Sequence, residues 1–287
     1  MRQLKLKEEN GFGLKLRRII CYVSLAFVTI MCLIWFYLLF INTTKTHNEI
    51  QIGFSALPGT NFINNWKNLL AGTLPLVSGL LNSFFVSTGC VVLSTYFSTM
   101  TAYAIYAYDF KFKKFMFTFI LMIMMIPAQV TALGFLRLIN DMNLKNSFIP
   151  LIVPSIAAPI TFFYLKQYMQ SALPMEIIEA ARIDGSGEVK TFNTIVVPMM
   201  KPAIAVQAIF TFVGTWNNYF MPALLISDVK KKTLPILIAQ LRSADWLKFD
   251  MGQVYMMIAF SIFPVVVVYL FLSKYIVQGI AMGSVKG

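Results

Sequence analysis

This sequence has little acid. Aspartate and glutamate together number 12 in 287 residues, against 24 lysines and arginines, and His47 is the single histidine. The three cysteines, Cys21, Cys32 and Cys90, show no Cys-x-x-Cys spacing. That excludes a thiolate metal site or a disulfide framework and leaves them as small apolar side chains. With one histidine and no acid–base cluster, a metal-assisted or histidine-based catalytic centre has nothing to be built from, and His47 reads as an exposed loop residue. No Gly-x-x-x-x-Gly-Lys phosphate loop is present, which excludes ATP hydrolysis by this chain. No acid falls in the middle of a hydrophobic run. Carriers driven by protons or sodium place ionisable groups along their pathway, so any transport here takes its energy from elsewhere.

What is abundant is apolar. Hydrophobic residues make up 58% of the chain and charged residues only 13%, a membrane composition. About 20 apolar residues carry a helix across the ~30 Å hydrocarbon layer, and six blocks of that size stand in the sequence: 19–41, 80–108, 115–138, 148–169, 202–226 and 255–277. Backbone polar groups must be satisfied inside lipid, and long blocks without strict alternation satisfy them as helices. The first block lacks an Ala-x-Ala-like cleavage site and reads as a retained span. The net charge of +12 fits the positive-inside rule better than nucleic-acid binding: Arg2, Lys5, Lys7, Lys15, Arg17 and Arg18 precede the first span, and Lys111, Lys113 and Lys114 follow the second. The expected fold is therefore an all-α membrane protein with six transmembrane helices and both termini in the cytoplasm. Its parts are a basic tail over 1–18, a six-span domain over 19–277 and a cytoplasmic tail over 278–287.

Three regions stand out between the spans. In the first outer loop, "NFINNWKNLL" has the spacing of a short amphipathic helix, lying on the membrane surface or against the bundle. The second span carries Ser83, Ser87, Thr88, Ser94, Thr95, Ser98, Thr99 and Thr101, hydroxyls that let membrane helices approach and hydrogen-bond. Pro127, Pro150, Pro154 and Pro159 predict bent third and fourth spans.

The scarce acid is concentrated in "EIIEAARIDGSGE", residues 176–188. Pro174 suits a helix start, and Glu176 and Glu179 near that start are favoured by the helix dipole. Gly185 is a natural stop because it tolerates a left-handed backbone. Ser186 then caps a second helix, which Pro198 ends. The stretch predicts two short helices joined at a glycine elbow on the cytoplasmic side, a shape that serves as a docking surface or as a solvated helical loop.

"EAARIDGSG…VVP", residues 179–198, resembles the EAA loop of ATP-binding-cassette (ABC) importer permeases. "NSFFVSTG" at Asn82, "TAYAIYAYDFKFKKFMF" at Thr101, "WNNYFMPALLI" at Trp216 and "KTLPILIA" at Lys232 are similar to other family segments. The ending "GIAMGSVKG" resembles the smaller permease subunit of maltose-type importers, in the carbohydrate branch. The sequence departs from the pattern in two places: Ala107 stands where the family often has arginine, and Ser186–Gly187 where Ala-Ser or Ala-Thr is common.

The resemblance implies a transport subunit, not an enzyme, with ATP and magnesium held by a partner ATPase and no cofactor in this chain. It implies as partners a second, different permease subunit, two copies of the ATPase, an extracytoplasmic solute-binding protein and membrane lipid, in a bacterial or archaeal plasma membrane. Ile178, Glu179, Ala180, Ala181, Asp184 and Gly185 would couple to the ATPase, with Ile178 and Ala181 seated in its groove. Sugars are held by aromatic faces and amides in a largely apolar lining. Trp216, Asn217, Asn218 and Tyr219 offer that chemistry to a substrate pathway, or else serve as glue between helices; Gln129, Thr131 and Gln207 are weaker candidates. A non-sugar solute is the alternative.

Overall fold

The structure, a computed structural model, describes residues 11–72, 74–243 and 249–283, and no strand occurs among them. Most of the basic tail and the final "SVKG" lie outside the described residues. The helices, in chain order, are α1 (Gly11–Thr43), α2 (His47–Ile52), α3 (Phe62–Ala71), α4 (Leu76–Ala107), α5 (Lys113–Ile123) and α6 (Ala128–Asp141). They continue with α7 (Ile149–Ala172, interrupted), α8 (Met175–Ile183), α9 (Glu188–Met199), α10 (Lys201–Trp216), α11 (Phe220–Leu225), α12 (Leu234–Arg242) and α13 (Met251–Gly283).

Four of these are long and apolar enough to cross a membrane: α1, α4, α7 and α13. A fifth crossing is available if α9 and α10, bent by 79° at their junction, are taken together. Six uninterrupted spans are not what the described residues form. The third block divides into α5 and α6 around a turn at 124–127. Pro127 offers no amide to the Ile123 carbonyl and pushes Ile126 out of the helical region. The fourth block breaks at Ala157–Ala158, just before Pro159. The fifth stops at Trp216 and resumes at Phe220. Pro222 explains that interruption, since its ring would meet the carbonyl of Asn218 in a continuous helix.

The chain divides into two compact units. One comprises residues 1–72 and 246–260. In it, α1 presents its most apolar stretch with none of that stretch buried. Its polar centre is Asn65 of α3, wholly buried, which donates to the carbonyls of Thr43 at 2.9 Å and Lys45 at 2.8 Å and accepts from Asn61 at 2.8 Å. A Cβ on Gly252 would lie 2.6 Å from the Asn65 side chain, so this glycine is needed for close approach. His47 is half-buried rather than a free loop residue: its Nδ1 accepts the Met251 amide at 3.1 Å. A capping box starts α2, and the hydrogen bond from the Thr46 backbone holds the Glu49 carboxyl below its ordinary pKa.

The other unit comprises residues 73–245 and 261–287 and is organised around α4, which packs along α7 and α10. Six of the eight hydroxyl side chains read as packing residues are buried there. Ser83 accepts the Leu234 amide at 2.7 Å, Ser94 meets Thr211 at 3.4 Å, and Ser98 donates to the Ala158 carbonyl at 3.3 Å, where α7 is broken. Hydroxyls on α4 thus compensate for backbone groups that interruptions in its neighbours leave free. The main apolar core, with Tyr103, Phe162, Leu165, Met169, Phe192 and Val196 among its members, joins the end of α4 to α7, α8 and α9.

Replacing Asn65 by alanine leaves two buried carbonyls without that donor, at a cost of about 1–3 kcal/mol. Thermal unfolding of the detergent-solubilised protein is expected to show a lowered midpoint for Asn65→Ala; an unchanged midpoint would contradict the role given to this side chain.

Candidate functional site

The elbow of α8 and α9 is built by local rules. Pro174 stands immediately before α8 with an extended backbone, and Glu176 lies in the first turn. At the other end Asp184 is the C-cap and Gly185 adopts φ +75°. The Gly185 amide reaches the Arg182 carbonyl at 3.0 Å and the Ser186 amide reaches the Ala181 carbonyl at 2.9 Å, the bond pair of a Schellman motif. Gly187, not Ser186, precedes α9 as its N-cap; the Ser186 hydroxyl instead accepts from Thr191 at 2.9 Å. Pro198 does not end α9. A π turn over Phe192–Val196 absorbs the missing amide: Val197 N–H bonds five residues back to Phe192, and the chain bends only at Met200.

A polar clamp fastens the elbow to the end of α4. Glu188 accepts from Arg182 Nε at 2.8 Å and from the Tyr103 hydroxyl at 2.9 Å. The Arg182 guanidinium also stands 5.1 Å from the centre of the Tyr108 ring, close enough for a cation–π contact. The hydrogen bond to Glu188 raises the arginine's already high pKa. Nearby, Tyr106 donates to the Leu173 carbonyl at 2.7 Å, satisfying the C-cap of α7.

The six residues expected to couple are brought together on this elbow, but they face two ways. Ile178 is fully buried and Ala181 nearly so, both inside the chain itself; Ile178 belongs to the core that includes Met169, Leu173 and Phe192. Ile178 is therefore not free to enter another protein's groove and seats the elbow on its own bundle, whereas Ala181 borders an open groove. Glu179, Ala180, Asp184 and Gly185 are exposed. So are two apolar residues that the sequence reading did not select, Ile183 at 86% and Val189 at 73% exposure. An open groove of about 500 Å³ lies on the elbow, lined by Glu176, Ile177, Ala180, Ala181, Asp184 and Lys190 among others.

A second candidate lies within the bundle. Where α7 and the α10–α11 segment are interrupted, a cavity of about 320 Å³ opens, lined by Phe135, Pro150, Pro154 and Pro222 with the polar groups of Thr131, Thr215 and Asn218. Of the four residues assigned to a pathway, Asn218 lines it. Trp216 is buried elsewhere: it stacks on Phe212 with ring centres 5.5 Å apart and donates its indole N–H to the Ser261 carbonyl at 3.1 Å, a contact between helices. Asn217 and Tyr219 are exposed at the break. Thr131, a weaker candidate, does line the cavity, whereas Gln207 is buried and Gln129 exposed away from it.

Several apolar helices of spanning length make this a multi-pass membrane protein. Residues 94–282 match the family described as binding-protein-dependent transport system inner membrane component. Among curated relatives, the arabinooligosaccharides transport system permease protein AraQ of Halalkalibacterium halodurans is 37% identical over 209 residues, covering 72% of this chain and 73% of the relative. AraQ of Bacillus subtilis is 33% identical over 233 residues, covering 80% and 81%. The sn-glycerol-3-phosphate transport system permease protein UgpE of Yersinia pestis is 29% identical over 278 residues, covering 95% and 98%. A solved bacterial ABC transporter involved in the import of the acidic polysaccharide alginate superposes with a TM-score of 0.79 over 94% of this chain and 99% of that one; at 20% identity this likeness is one of fold. The chain belongs to the family of binding-protein-dependent transport system inner membrane components. It is a permease subunit of an ABC importer, a transport component rather than an enzyme, and works with other subunits of its transporter.

A left-handed backbone costs a non-glycine residue about 1–2 kcal/mol, so Gly185→Ala is expected to lower the unfolding midpoint. Tyr103→Phe removes one hydrogen bond to a partly exposed carboxylate and is expected to cost about 1 kcal/mol. Thermal scans of both variants check this, and wild-type midpoints for both would contradict the elbow and clamp as described.

Proposed function

We propose that this chain forms half of the translocation pathway of an importer for a carbohydrate, an oligosaccharide or related sugar, and that the exposed side of α8 receives the push of a separate ATPase. The observation that carries the reading is the elbow itself. It is held to α4 by Tyr103, Glu188 and Arg182, seated by Ile178, and exposes Glu179, Ala180, Ile183 and Asp184. A lever must be stiff where it joins the spans and free where it meets its driver, and these residues meet both requirements. In this reading Ile183 and Val189 supply the apolar contact with the ATPase, while Glu179 and Asp184 pair with basic groups or cap amides there.

The assembly we infer contains a second, different permease subunit, two copies of the ATPase and an extracytoplasmic solute-binding protein, in a bacterial or archaeal plasma membrane. ATP and magnesium belong to the ATPase. The chain crosses six times, with α5 and α6 together as one crossing and α10 and α11 as another, which puts both termini and the elbow in the cytoplasm. At 1.5 Å per residue the 16 residues of α10 extend about 24 Å, short of the ~30 Å layer, so α11 is needed to complete the crossing. Asn218, Thr131 and Thr215 are the polar groups offered to a solute in the cavity.

Permeases named for arabinooligosaccharides among the relatives support a sugar. The relative named for sn-glycerol-3-phosphate supports the second reading, a small non-sugar solute. Binding of a glycan panel, with sn-glycerol-3-phosphate included, to the cognate solute-binding protein separates the two.

The coupling assignment is tested by Glu179→Lys combined with Ile183→Asp, both at exposed positions. The prediction is loss of ATPase subunit from the purified complex and loss of transport-linked ATP turnover, with the variant still inserted in the membrane. Full retention of association and turnover would defeat the assignment.

A further inference from the structure

Between α2 and α3 the chain forms a strap whose large side chains all turn away from the protein. Ile52 is 88% exposed, Phe54 76% and Leu57 75%. Apolar side chains this open are expected in a loose tail, yet the strap is fastened along its length. Buried Lys45 donates from Nζ to the Ser55 carbonyl at 2.6 Å, and the Tyr37 hydroxyl donates to the Ala56 carbonyl at 2.7 Å. The Gly59 amide reaches Thr44 Oγ1 at 2.7 Å and the Asn61 amide reaches the Thr44 carbonyl at 2.7 Å. The sharp entry into the strap is made by Gly53, at φ 136°.

The bond from Tyr37 fixes the level of the strap. Tyr37 lies six residues before Thr43, where α1 ends, and at 1.5 Å of rise per residue the middle of the strap returns about 9 Å below that end. Side chains on a helix lean toward its N-terminus, which carries the contact deeper still. At this level α1 exposes Trp35 and Tyr37, the residue types that gather at the boundary between headgroups and acyl chains. α3 buries Asn65 and Leu69 and leaves Phe62 and Ile63 outside. No charged residue occurs between Glu49 and Lys67, which argues against a charged protein surface as the occupant.

We propose that the strap is a lipid anchor: Ile52, Phe54 and Leu57 insert into the interfacial layer of the bilayer beside the emerging end of α1, and the hydrogen bonds from Lys45 and Tyr37 hold them at that depth. Interfacial apolar segments settle about 5–10 Å into the headgroup–acyl boundary, the layer that a return of about 9 Å reaches if α1 ends at the headgroup surface. The anchor would fix the height at which the outer loop stands on the membrane.

The test uses Phe54→Cys in a background of Cys21→Ala and Cys32→Ala, both exposed sites, with buried Cys90 retained. The transporter is purified with its co-expressed subunits, labelled with an NBD fluorophore and reconstituted in phosphatidylcholine nanodiscs. Emission is expected to shift to the blue. The largest loss of intensity is expected from lipid with a nitroxide near the headgroup, a smaller loss from a chain-end nitroxide and the least from aqueous iodide. Dominant quenching by iodide would overturn the proposal by placing the strap in water. Protection from both iodide and nitroxide lipid would overturn it by placing the strap under another subunit. Leu57→Cys gives the same readout should the first substitution disturb folding. Neither result bears on whether α8 meets an ATPase.

Discussion

Proline governs where this bundle departs from regular helix. In lipid a removed amide leaves a carbonyl that something else must satisfy, and each interruption lies close to such a residue: 124–127 at Pro127, 157–158 at Pro159, and 217–219 before Pro222. The consequences are spatially ordered. Pro150, Pro154 and Pro222 border the internal cavity, while Pro174, Pro198 and Pro202 bracket the elbow and the 79° bend that follows it. The same residue type thus borders both the cavity and the elbow. The hydroxyls of α4 belong to the same arrangement, since Ser98 donates to the carbonyl of Ala158 at one of these openings.

The elbow is fastened to its neighbours by packing and by hydrogen bonds. Ile178 is fully buried in the core that also holds residues of α7 and α9, and close-packed interiors have little compliance. The ionic part of the connection is modest in energy, because Arg182 and Glu188 are both about one third or more exposed, at 34% and 41%, and exposed pairs contribute little. Its value is geometric: Glu188 has its two oxygens occupied by groups from different elements, Arg182 of α8 and Tyr103 of α4, which fixes the angle between them.

The sequence made some of this legible and hid the rest for identifiable reasons. Block length disclosed α1, α4, α7 and α13, and the Pro174–Gly185 spacing disclosed α8 with its left-handed stop. Local chemistry determines these features. The direction faced by Ile178 was not legible, because an apolar strip on a helix is the same whether its cover comes from the same chain or from another. Ile183 and Val189 were passed over for the converse reason: only their exposure distinguishes them. Trp216 was grouped with Asn218 by adjacency, yet a break in the helix sends their side chains to different places, one to Ser261 and one to the cavity. Pro222 was the readable sign of that break. His47 was read as exposed because its partner, the Met251 amide, is 204 residues away.

The π turn at Phe192–Val196 inserts one more residue than a regular helix would use between the elbow and α10. One residue corresponds to about 100° of rotation about a helix axis. The turn is thus a phase-setter: it decides which way α8 points once α10 is embedded. Shortening the segment by a single residue would restore uniform pairing and yet aim the elbow at the wrong azimuth, so length variation in descendants of this chain should be tolerated in the connection 142–148 far more readily than between 188 and 200.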